Sequence, residues 1–71
     1  MTIWIQIEGD VDGQWRPRFV AERQQASVLS SANAQQVRHK LDDNHREYIW
    51  ESVPAPGNDK CVIKGEEKSK K

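Results

Sequence analysis

One cysteine, Cys61, is all that the 71 residues contain, so no disulfide can form within the chain. A lone thiol fits a reducing compartment. Charge of one sign is equally scarce: eleven basic residues meet eleven acidic ones, for a formal net charge of zero. Splitting the chain at Gln35 uncovers no hidden asymmetry, with three basic and four acidic residues before it and eight and seven after it. The long-range attraction typical of nucleic-acid binders is therefore missing, although a local basic stripe could still act. No apolar run approaches the roughly 18–20 residues of a membrane span. The opening Met1–Glu8 has neither the basic start nor the apolar core of a signal peptide, and a cytoplasmic location is expected.

Apolar residues make up only 35% of the chain. A domain of this length buries only about 60% of the surface that its unfolded form exposes. Below about 70–80 residues, disulfides, a metal or a partner subunit usually add the missing stability. The apolar residues nevertheless cluster in segments, as they do in a folded chain.

The first segment alternates, with Ile3, Ile5 and Ile7 on one side and Thr2, Trp4, Gln6 and Glu8 on the other. Period two with β-branched residues predicts a half-buried strand. Gly9-Asp10-Val11-Asp12-Gly13 is a run of turn formers, after which Trp15, Pro17, Phe19 and Ala21 alternate with Arg16, Arg18, Val20 and Glu22. This is a β-hairpin. Pro17 has no N–H for a ladder, which makes its strand an edge strand. Ala26 to Leu29 is expected to add a short third strand.

A helix follows. Ser30 is placed to cap it, and Leu29 to staple onto Ala34. Ala34, Val37 and Leu41 form a narrow apolar stripe, and Asn44 is a C-terminal stop. Arg46 to Val53 reads as a further strand, in which Tyr48, Ile49 and Trp50 leave open which face is buried. Pro54 to Asp59 is a loop. Cys61 to Ile63 makes a short last strand, and from Gly65 onward no apolar residue remains.

The expected architecture is an α+β fold of order ββ(β)αββ. One helix packs on one face of a small antiparallel sheet, over residues 1–64, with a disordered charged tail at 65–71. Its core should centre on Ile3, Ile5, Ile7, Phe19, Val37 and Leu41.

No catalytic constellation emerges, and a non-enzymatic protein without cofactor is expected. Cys61 beside Val62 and Ile63 reads as packing rather than as a nucleophile. His39, His45, Cys61 and Asp42 or Asp43 are zinc-ligand types, but histidines six apart match neither a helical pair nor a finger. Asp10-Val11-Asp12-Gly13 begins like a calcium loop, yet its twelfth position is Ala21, where a glutamate is needed. No glycine loop opens the helix to hold a phosphate. Asp42-Asp43 and Glu66-Glu67 are solvated neighbours in the sequence.

The outer face of the first hairpin remains. With the isoleucines turned to the helix, Trp4 faces outward, and a turn at Asp10–Gly13 would set it opposite Arg18, and Gln6 opposite Arg16. Trp and Arg predominate at protein-binding hot spots, and a guanidinium can stack on an indole. Trp4, Gln6, Arg16 and Arg18 are thus the candidate partner-binding residues. The alternative is that neighbouring arginines merely shield Trp4, or that it packs on Trp50.

The expected function is docking onto a protein partner or a second copy, through this face or the Pro17 edge. A regulator or inhibitor of a larger assembly, phage- or mobile-element-encoded, fits the size alone. The competing expectation is a nucleic-acid-binding module in which Trp4, Arg16 and Arg18 stack bases, helped by Arg38, Lys40 and the lysines from Lys64 to Lys71.

Overall fold

The computed structural model describes residues 1–68. Five strands and one helix follow in the order β1 (Thr2–Gly9), β2 (Trp15–Val20), β3 (Leu29–Ser30), α1 (Ser31–Asn44), β4 (Tyr48–Pro54) and β5 (Lys60–Glu67). A 3-10 turn, Arg23–Gln25, lies between β2 and β3. The fold is the expected small antiparallel α+β sheet carrying one helix. Among the described residues, no helix is long and apolar enough to cross a membrane.

β5 is the organising strand. β4 pairs along it from Tyr48↔Glu67 to Pro54↔Cys61. Its other side is shared: β1 takes the far end through Thr2↔Glu66 to Trp4↔Lys64, and β3 takes the near end through Leu29↔Cys61. Where β1 parts from β5, Ser27 fills the gap. Its N–H donates to the Ile5 carbonyl (3.1 Å), and its Oγ accepts from the Ile7 N–H (2.8 Å). β2 pairs only with β1 and β4 only with β5, so both have an open edge among the described residues.

The inner face meets α1. Ile5, Val37, Leu41 and Ile63 are the largest fully buried side chains, joined by Leu29, Ala34 and Trp50. Ile3 and Ile7 pack around this centre as expected. Phe19, expected inside, is 38% exposed, because it sits on edge strand β2 beyond the reach of the helix stripe. It meets instead the rings of His45 (5.2 Å), Tyr48 (5.6 Å) and Trp50 (5.8 Å) in an edge-to-face cluster. Ser30 caps α1, its Oγ accepting from the Asn33 N–H at 3.2 Å.

Three local expectations need correction. The hairpin register is Trp4↔Val20, Gln6↔Arg18 and Glu8↔Arg16, two residues along from the one anticipated. The turn is longer than its glycines imply. Asp10 accepts from Gly13 and donates to Gln14, and Val11 folds back into the core at 8% exposure. An even shift preserves the faces. The last strand, expected to end at Ile63, runs on through Glu67, so residues 65–67 are paired sheet and not tail. Gly65 is buried there under Trp50, where any side chain would collide with the indole. Residues 69–71 of the anticipated tail lie outside the described residues.

Candidate functional site

Alternation along β1 and β2 puts Trp4, Gln6, Arg16 and Arg18 together on the outer face, opposite the helix. Their environments differ. Arg16 and Arg18 are exposed, whereas Trp4 and Gln6 are half-buried. Arg18 reaches Glu8 at 3.3 Å rather than Trp4. Both side chains of that pair are at least half exposed, so it contributes little to stability. The cation over Trp4 is Arg23, whose Cζ lies 5.7 Å from the ring centroid. Trp50 cannot meet Trp4, because the registers Trp4↔Lys64 and Trp50↔Gly65 put them on opposite faces.

The same Arg23 guanidinium is held in place by a hydrogen bond. Its Nη2 donates to the Pro54 carbonyl at 2.8 Å, tying the segment after β2 to the end of β4. Gln6 Nε2 donates to the Gln25 carbonyl at 3.0 Å and adds a second tie. The connection from β2 to β3 therefore crosses the outer face as a strap. Between this strap and the β4–β5 loop lies a groove of about 480 Å³. Val62, only 3% exposed and separate from the main core, lines it. Ala26, Val28, Ala55 and Pro56 supply further apolar lining, and Glu22, Arg23 and Gln24 its polar part. Val28 is 55% exposed.

Sequence reasoning missed this groove and Arg23. Its residues come from two connections and one strand, with no periodicity to link them. The usable signal was weak: Val28 and Pro56 are apolar residues in segments where polar ones suffice.

A second, polar hollow lies at the hairpin end, lined by Glu8, Gly13, Gln14, Trp15, Arg16 and Lys40. There Lys40 Nζ stands 5.8 Å from the Trp15 ring centroid. Among the described residues, no group of three or more His, Cys, Asp or Glu is placed to hold a metal ion. Cys61 is half-buried against the core.

Shape and chemistry of the outer groove suit an apolar side chain entering beside a cation–π pair. Comparison with protein-family models, with curated proteins and with solved structures finds no match to this chain.

Proposed function

We propose that the chain is a small non-enzymatic interaction protein that docks a protein partner on the outer face of its sheet, and so regulates or inhibits that partner. The observation that carries this reading is the apolar groove between the strap and the β4–β5 loop, adjoining the Trp4–Arg23 pair. Apolar pockets next to Trp and Arg are the usual anchors of protein interfaces. Trp4, Gln6, Arg16 and Arg18 share the outer face with this groove, Arg16 lying toward the hollow at the hairpin end. The regulatory role, including one on a phage or other mobile element, rests on chain size and belongs to the same proposal.

The nucleic-acid alternative draws less support. Arg18 is paired with Glu8 and Lys64 lies 4.0 Å from Glu66, which leaves Arg16 and Arg23 as the cations of this face with no carboxylate partner among the described residues. Titration with single- and double-stranded oligonucleotides at two salt concentrations separates the readings. Tryptophan quenching at low salt would favour nucleic acid.

The direct test is capture from the native host with wild type, Val28→Asp and Trp4→Ala/Arg18→Ala, each checked for folding by circular dichroism. A partner retained by wild type and lost by both folded variants supports the groove. Equal retention by all three sinks it.

A further inference from the structure

The open edges of β2 and β4 are not equivalent. In an antiparallel ladder, successive residues direct their backbone groups alternately toward the neighbouring strand and away from it. For β2 the bond from the Asp10 N–H to the Gln14 carbonyl sets the phase, so Trp15, Pro17 and Phe19 point outward. Pro17 thus removes a donor from the middle of that edge, which closes it to a further strand.

For β4 the phase follows from two bonds at its ends. The Ala55 N–H donates to the Lys60 carbonyl (2.9 Å) and the Lys68 N–H to the Glu47 carbonyl (3.0 Å). Ile49, Glu51 and Val53 therefore bond β5, while Tyr48, Trp50, Ser52 and Pro54 point their backbone groups away from it. The ends of this outer row offer no free donor. The Tyr48 N–H is directed to the His45 carbonyl at 3.4 Å, Pro54 has no N–H, and its carbonyl accepts from Arg23. Between them, the N–H and C=O of Trp50 and of Ser52 have no partner among the described residues.

We infer that this edge pairs with β4 of a second copy of the chain, antiparallel about a two-fold axis at Glu51. The occupant follows from the pattern of free groups. Opposing Trp50 to Ser52 of the other copy satisfies both residues on each strand, giving four N–H···O=C bonds. The same register sets Tyr48 against Pro54, so no further donor is stranded, while the Tyr48 carbonyl, without a partner among the described residues, gains none there. On the outer face it places Ile49, 58% exposed, against the half-buried Val53 of the other copy, twice over. Apolar cross-strand pairs of this kind stabilise a ladder.

At the axis itself the two Glu51 side chains face each other, with Lys64 flanking each of them on β5. This like-charge pair weakens the association and marks the register. It makes the pairing reversible rather than permanent.

The surface is distinct from the outer groove, so partner capture and self-association succeed or fail independently. Sedimentation equilibrium on the full chain, from about ten micromolar to about one millimolar, should show a concentration-dependent monomer–dimer equilibrium. Ile49→Asp, a change at an exposed side chain, and Ser52→Pro, which removes an outward donor, should both leave monomers. Ile49→Asp keeps the test valid if Ser52→Pro unfolds. Glu51→Gln should associate about twofold to fivefold more tightly than wild type. Mixing wild type with Glu51→Lys should give a heterodimer tighter than either parent dimer, because only an axis at residue 51 sets these charges face to face. A wild type that stays monomeric throughout overturns the inference and leaves the edge to an extended segment of another protein. A dimer indifferent to Ile49→Asp, or no gain on mixing, overturns it equally.

Discussion

The indole of Trp50 occupies the space that a side chain at Gly65 would need. A Cβ built on Gly65 would lie 2.9 Å from both Cε3 and Cη2 of that ring. The Trp50 Nε1–H donates across to the His45 carbonyl at 2.9 Å, so the ring is held at its polar end and cannot slide away freely. Gly65→Ala should therefore destabilise by about 1–3 kcal/mol, the usual range for overpacking. Urea midpoints measure it. Combining Gly65→Ala with Trp50→Phe should cost less than the two single changes added together, because the smaller ring yields the space.

Ile5 is 1% exposed at the centre of the inner face, and Ile49 is 58% exposed on the outer one. Ile5→Ala should lose about 2–5 kcal/mol, much of what a domain of this size has. Ile49→Ala, measured at concentrations where the chain is monomeric, should stay within about 0.5 kcal/mol of wild type. Equal urea melts for wild type and Ile5→Ala would contradict the packing described.

Ser30 satisfies one of the free N–H groups at the start of α1. Its replacement by alanine should destabilise by about 1 kcal/mol. Ser31→Ala, one position inside the helix and exposed, is the matched control and should change little.

Arg23 shields Trp4 and ties the strap to Pro54. Removing it as Arg23→Ala should cost no more than about 1.5 kcal/mol, since one hydrogen bond and one partly exposed cation–π contact are lost. Access to the indole should change more. Iodide quenching of tryptophan fluorescence should rise in Arg23→Ala, and the rise should vanish in a Trp4→Phe background. A rise that persists there would place the exposed ring elsewhere.

Side-chain direction was legible because it depends only on parity. Ile3, Ile5 and Ile7 announce the buried face of β1 by alternation alone, and a register error of two leaves that face unchanged. The register itself was not legible. It depends on how many residues the turn absorbs, and Val11, an apolar residue tucked into the core from a turn, has no pattern to reveal it. Gly65 was misread for a related reason. A glycine followed by charges looks like the start of a tail, and its role is visible only once Trp50 is known to lie across it. Tyr48-Ile49-Trp50 has no alternation to choose a face, and the pairing with β5 settles it.

The outer groove was the least legible part. Arg23, Val28, Ala55 and Val62 come together only because the strap crosses the sheet, and nothing local in any of the three segments foretells the others. Trp4, by contrast, was placed on the correct face, but the guanidinium it meets comes from that strap and not from the adjacent strand.

β5 sits between β4 on one side and β1 and β3 on the other, yet in the chain it follows all three. A ribosome that has delivered everything up to Asn58 has made a hairpin and a helix with no common strand to join them. Assembly of the sheet must therefore wait for distant ends to meet, Thr2 with Glu66 above all, and local contacts cannot hasten that search. A chain cut short at the β4–β5 loop should be unfolded rather than weakened, with its isoleucines open to chaperones and proteases.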